Sequence, residues 1–126
     1  MTIGLVDDDP AVRRGLTRLL AACGHHIETY GSASEFLQEA ALDSFDCLLL
    51  DVRMPELTGF DLFERLARRG CTVPIIFITG HGDAALGKYA VRRGSIAVLA
   101  KPIDEETLLA AIDDAVEKGG RRPLYP

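Results

Sequence analysis

The chain has 126 residues, the length of one domain, and 48% of them are hydrophobic, enough for a single packed core. Its net charge of −5 argues against a nucleic-acid-binding surface, which would show a basic patch. No apolar run approaches the ~18 residues needed to span a bilayer. The start, MTIGLVDDD, lacks the basic and long apolar stretches of a signal peptide, so the expected location is cytoplasmic.

Strands and amphipathic helices alternate along the whole sequence. Strand 1 is expected at about residues 2–6. A helix follows at about 10–23, with Val12, Leu16, Leu19, Leu20 and Cys23 on one face, and Gly24 ends it. A short strand covers His26 to Thr29. Ser32 and Glu35 form a capping-box pattern that opens a helix at about 33–41. Strand 3 is expected at about 46–50, and Gly59 opens a helix with Phe60, Phe63, Leu66 and Ala67 inward. Pro74 stands first in strand 4, at about 74–78, a tolerated position for proline. A helix at about 83–93 carries an internal Gly87, which costs ~1 kcal/mol relative to alanine and makes it the expected mobile part of any switch. Strand 5 is expected at about 96–99. The last helix, about 104–118, spaces Leu108, Ile112 and Val116 four apart. Residues 119–126, GGRRPLYP, read as a tail or linker beyond a domain of residues 1–118.

Near-continuous apolar strands separated by helices indicate a parallel sheet covered on both faces. Five such units in this length fit the flavodoxin-like, doubly wound α/β fold with strand order 2-1-3-4-5. The cysteines, Cys23, Cys47 and Cys71, are odd in number and contain no CxxC, so neither a disulfide framework nor a zinc site is expected. Cys23 and Cys47 fall on apolar faces and read as buried small hydrophobes, and Cys71 as partly exposed.

Polar residues stand at the downstream ends of four apolar runs: Asp7 and Asp8, Asp51, Thr79, and Lys101. In a parallel sheet these ends lie side by side, at the edge where open α/β sheets bind ligands. Asp9 precedes Pro10 and reads as a helix N-cap, leaving Asp7 and Asp8 to face the pocket. Three clustered carboxylates repel one another and raise each other's pKa. A bound Mg²⁺ relieves that repulsion with carboxylate, water and phosphate oxygens as ligands. Lys101 adds a second positive charge, the Thr79 hydroxyl suits a phosphoryl oxygen, and Asp51 is placed to act as a nucleophile that forms an aspartyl phosphate. His81 has no partner ligands at metal-binding spacing and reads as a residue at the pocket mouth.

The segments LVDDDP at 5–10, LLLDVRMPELTGFDL at 48–62, IFITGHGD at 76–83 and LAKP at 99–102 together resemble the receiver domain of two-component response regulators, and VRMP and ITGHGD are similar to the FixJ-like group. The resemblance covers almost the whole chain. It implies that Asp51 is the phosphoacceptor, and that Asp7, Asp8, Asp51 and the Arg53 main-chain carbonyl bind Mg²⁺. It implies further that Thr79 is the switch hydroxyl, that Lys101 contacts the phosphoryl group, and that the Lys101–Pro102 bond is cis. In the family, the positions of Arg53 and His81 tune autodephosphorylation. The implied donor is a sensor histidine kinase or acetyl phosphate. The implied output is a homodimer or output-domain contact through the face made by the helix at 83–93, strand 5 and the last helix. Neither nucleic acid nor membrane is expected to bind the chain directly.

One position departs from the family. Many receivers carry Tyr or Phe three residues before the lysine, where this chain has Val98. A β-branched valine has few rotamers and no ring to swing inward. The phosphoryl chemistry is expected to survive, while a threonine–aromatic relay has no ring to act through; Tyr89 is the substitute reporter within the helix at 83–93. A phosphate-independent receiver acting as an interaction module is the alternative, against which the full Asp7, Asp8, Asp51, Thr79 and Lys101 set weighs. An enzyme acting on an external phosphomonoester would commonly need an acid two residues beyond Asp51, where Arg53 stands. A flavin site lacks a phosphate-cradling glycine loop after strand 1.

Overall fold

Strand periodicity decides how the two faces of the sheet are filled. The computed structural model describes residues 1–80 and 97–119. Its strands are β1 (Thr2–Val6), β2 (His26–Tyr30), β3 (Cys47–Asp51), β4 (Ile75–Thr79) and β5 (Ala97–Ala100), all parallel, in the order β2-β1-β3-β4-β5. Successive strand residues point to opposite faces. Leu48 and Leu50 of β3 therefore join a cluster with Tyr30, Phe36, Phe63, Leu66 and Phe77, while Cys47 and Leu49 join Ile3, Leu5, Leu20, Ile76 and Ile78 behind them. Every residue of β3 and β4 is buried, as two-sided covering requires.

The described helices are α1 (Pro10–Ala22), α2 (Ala33–Glu39), α3 (Gly59–Arg68) and α4 (Glu105–Asp114). α1 and α4 cover one face through Leu16, Leu20, Leu108 and Ile112; α2 and α3 cover the other through Phe36, Leu62, Phe63 and Leu66. The caps are local and chemical. Asp9 accepts from the Ala11 amide with Pro10 in the first turn, and Ser32 accepts from Glu35. Thr58 and Asp61 form a reciprocal capping box at the start of α3. Asp104 accepts from the Thr107 amide at the start of α4. Gly24 at φ 88° turns the chain out of α1.

The strand order agrees with the sequence reading, and the boundaries move by a residue or two. α2 stops at Glu39 and is followed by a 3₁₀ turn, Leu42–Ser44; α4 ends in a π-helical turn, Ala115–Gly119. Two burial expectations are corrected. Cys23 is exposed because α1 ends at Ala22 and the next residue leaves its apolar face. Cys71 is buried, tucked under the end of α3 by a bond from its amide to the Leu66 carbonyl. In α3, Phe63 and Leu66 are buried and Phe60 and Ala67 are half-buried against the same cluster, so all four face inward as expected, and Gly59 and Leu62 join them. The helix expected at 83–93, with His81, Gly87 and Tyr89, and the tail beyond 119 lie outside the described residues.

Candidate functional site

β1 pairs with both β2 and β3, so the chain reverses its winding direction at the β1/β3 boundary. Loops leaving strand ends diverge at such a switch point and open a crevice. Asp7 leaves β1 there and Asp51 is the last residue of β3. Thr79 ends β4, and Lys101 follows β5. All four lie along the carboxyl edge of the sheet.

Within this crevice, one carboxylate oxygen from each of Asp7, Asp8 and Asp51 lies within 4.8 Å of the others. Asp7 is fully buried and Asp51 is 3% exposed, whereas Asp8 is exposed at the mouth. The Lys101 ammonium stands 3.1 Å from Asp7 Oδ2 and 3.5 Å from Asp51 Oδ1. Asp7 Oδ1 accepts from the Asp9 amide at 2.9 Å, and Asp51 Oδ1 accepts from the Arg53 amide at 3.3 Å. Asp7 Oδ2 has no directed hydrogen bond among the described residues, although it is buried; its contact is the ionic one to Lys101.

The electrostatic consequence is a site that resists its own charge. Burial, with the Asp7 carboxylate next and Asp8 adding to it, pushes Asp51 up to about 7, against the pull of Lys101 and the Arg53 amide. Burial works against the Lys101 charge, but the Asp7 and Asp51 carboxylates outweigh it and hold the ammonium above its ordinary value. Among the described residues, one ammonium faces two buried carboxylates and a third at the rim, an excess of negative charge. An oxygen-seeking divalent cation fits this donor set, and the buried Asp7 Oδ2 supplies an acceptor for it.

The backbone around these groups is tightly held. The Lys101 amide donates to the Thr79 carbonyl at 2.7 Å, which ties the lysine's loop to the end of β4. The Lys101–Pro102 peptide bond is cis. Thr79 is buried at 5% exposure. Arg53 is exposed beside Asp51. Val98 is half-buried and paired in register with Phe77, packed against the cluster that contains that ring.

Two features were missed in the sequence. Glu56, in the loop between Asp51 and α3, has φ 68°, a left-handed conformation unusual for a side chain other than Asn, Asp or Gly; ELTG carries no turn signal at that position. Gly59 is more than a helix start: a Cβ there would sit 2.4 Å from the Asp51 carbonyl oxygen, and its amide bonds the Val52 carbonyl at 2.9 Å. Only the absent side chain lets α3 begin directly beneath the Asp51 backbone.

A family model for the response regulator receiver domain matches residues 3–113. Nodulation protein W of Bradyrhizobium diazoefficiens is 42% identical over 118 residues, covering 94% of this chain and 52% of that protein. Response regulator protein TmoT of Ectopseudomonas mendocina is 43% identical over 115 residues, covering 91% of this chain and 52% of that protein. The crystal structure of full-length FixJ from B. japonicum superposes with a TM-score of 0.85 at 35% identity, covering 94% of this chain and 59% of that one. The chain thus spans about half the length of the curated relatives it matches.

Proposed function

The chain belongs to the response regulator receiver domain family of two-component signalling systems, and from that premise we propose that it accepts a phosphoryl group on Asp51, supported by a divalent cation, and thereby signals to a partner. The observation that carries this reading is the Asp7, Asp8 and Asp51 cluster facing Lys101 at the end of the sheet.

Asp51 is the nucleophile. One of its carboxylate oxygens forms a bond to the donor's phosphorus, and the bond from phosphorus to the donor's leaving group breaks. The leaving group, a histidine nitrogen of a sensor kinase or the acetate oxygen of acetyl phosphate, departs with the electron pair. Asp7, Asp8, Asp51 and the Arg53 main-chain carbonyl are the groups that would hold Mg²⁺. When bound, that ion neutralises the carboxylates and the phosphoryl oxygens. Lys101 stands within reach of Asp51 and takes a second phosphoryl oxygen. Thr79, buried at the end of the adjacent strand, offers its hydroxyl to a third. Deprotonated Asp51 is required for attack, and both the cation and Lys101 favour that form.

The reading supports a signalling role, with phosphoryl uptake and hydrolysis confined to the domain's own aspartate. The kinase is the donor partner, and a second copy or an output domain is the recipient of the signal. Among the described residues, the fifth strand and α4 supply the face for that contact. Val98 leaves no ring at that position to couple to Thr79, whose carbonyl is bonded by the Lys101 amide.

The test is intact mass after incubation with acetyl phosphate, with and without MgCl₂. A Mg²⁺-dependent gain of one phosphoryl group, absent in Asp51→Asn, agrees with the reading. No gain, together with no effect of beryllofluoride on the amide NMR spectrum, sinks it.

A further inference from the structure

The chemistry above leaves one well-placed group unused. Arg13 lies on α1, six residues beyond Asp7, and is half-buried. Its guanidinium donates from Nη1 to the main-chain carbonyl of Asp7 at 2.7 Å. Asp7 is thereby fixed at three points. Its amide donates to the Tyr30 carbonyl at 3.1 Å, its carbonyl accepts from Arg13, and its Oδ1 accepts from the Asp9 amide at 2.9 Å. Only Oδ2 is left to face Lys101 and Asp51.

Arg13 also lies close to the end of β2. A Cβ built on Gly31 would meet Arg13 Nη1 and Glu35 Oε2 at 3.4 Å, so both groups lie beside the turn that follows β2. Glu35 Oε2 accepts from the Gly31 amide at 2.8 Å and holds that turn in place. The arginine therefore lies between that turn and the main chain of the acidic turn, bonded to the latter.

The geometry points to Arg13 as a positioning residue for the divalent-cation site: through the Asp7 carbonyl it holds the turn Asp7-Asp8-Asp9 in register with Asp51. This rests on the cation reading above and adds to it a residue that touches neither cation nor phosphoryl group. Groups that orient metal ligands in this indirect way typically change affinity 10- to 100-fold when removed.

A plain surface-charge role predicts the opposite sign. Removing a cation near a site for a dication tightens binding by weakening repulsion. Arg18, exposed further along α1, has no bond to the acidic turn and reports that charge effect alone.

The experiment is a MgCl₂ titration followed by the amide NMR signals of Asp8, Asp9 and Gly31, in the wild type, Arg13→Gln, Arg13→Lys and Arg18→Gln. Positioning predicts binding about 10-fold weaker in Arg13→Gln. Arg13→Lys, which keeps the charge and one donor with a shorter reach, is expected to fall between the wild type and Arg13→Gln, and Arg18→Gln to bind as tightly as the wild type or tighter. In the metal-free protein the Asp9 amide should exchange faster in Arg13→Gln than in Arg18→Gln. Unchanged or tighter binding in Arg13→Gln overturns the inference. Should Arg13→Gln fail to fold, wild-type affinity in Arg13→Lys overturns it equally. A wild type that does not bind Mg²⁺ at all contradicts the cation reading instead, so the two failures are told apart.

Discussion

Replacing Asp51 with asparagine is expected to stabilise the metal-free protein, although it removes a buried, ion-paired side chain. Burial and the Asp7 charge push the folded carboxyl up to about 7, whereas in the unfolded chain it ionises at about 4. Between those values the folded state holds a proton that the unfolded state has released. Stability therefore falls as pH rises through that window and levels off above it. Three pH units at about 1.36 kcal/mol each set a ceiling of about 4 kcal/mol by pH 8, of which roughly a third is already lost at pH 5. Water at the open mouth beside Asp8 screens the site, so about half the ceiling, ~2 kcal/mol, is the working expectation. Asparagine keeps the shape and does not titrate. Urea denaturation in EDTA, followed by circular dichroism at pH 5 and pH 8, should show the variant gaining over the wild type as pH rises. Saturating MgCl₂ should then close the gap, since a ligand at 100 times its Kd adds about 2.7 kcal/mol to the form that binds it. A variant no more stable than the wild type at pH 8, or a difference that does not change between the two pH values, would refute the reasoning.

Other changes test other parts of the account. Gly59→Ala places a methyl group 2.4 Å from the Asp51 carbonyl; it should cost about 1–3 kcal/mol in urea denaturation and slow phosphoryl uptake, and a silent substitution would mean the close approach does not matter. Glu56→Gly relieves the left-handed backbone at φ 68° and should raise the urea midpoint, by about 0.5–1 kcal/mol in stability, with no effect on Mg²⁺ affinity. Leu66→Ala opens a cavity in the α3 face and should cost about 2–5 kcal/mol in thermal or urea unfolding, leaving residual folded protein able to bind Mg²⁺. Thr58→Ala removes half of the capping box and should cost about 1 kcal/mol, read out as faster amide exchange in the first turn of α3.

Much of the architecture was legible because its causes are local. Leu48, Leu49 and Leu50, in a short apolar run that stops at Asp51, read as a strand buried on both faces, and Asp9-Pro10 and Ser32-Glu35 state their caps in their side chains. The convergence of the candidate residues Asp7, Asp8, Asp51 and Lys101 was legible for the same reason: each stands where an apolar run stops. What the sequence left out depends on distances between segments. The clamp from Arg13 to the Asp7 carbonyl needs a helix and a strand end brought to 2.7 Å, and six residues of separation do not announce it. The burial of Cys71 depends on how α3 ends against β4, and the exposure of Cys23 on where α1 stops. Glu56 shows a conformation that side-chain chemistry does not select; the loop imposes it between a fixed Asp51 and a capped α3.

The central claim is that one carboxylate of the cluster, Asp51, carries the phosphoryl group. Borohydride reduces an aspartyl phosphate to homoserine, so reduction after acetyl phosphate treatment, followed by peptide mass mapping, reads the position directly. The account predicts homoserine at position 51 alone, formed only when MgCl₂ is present. Homoserine at position 7 or 8, or its formation at position 51 without a divalent cation, would contradict it.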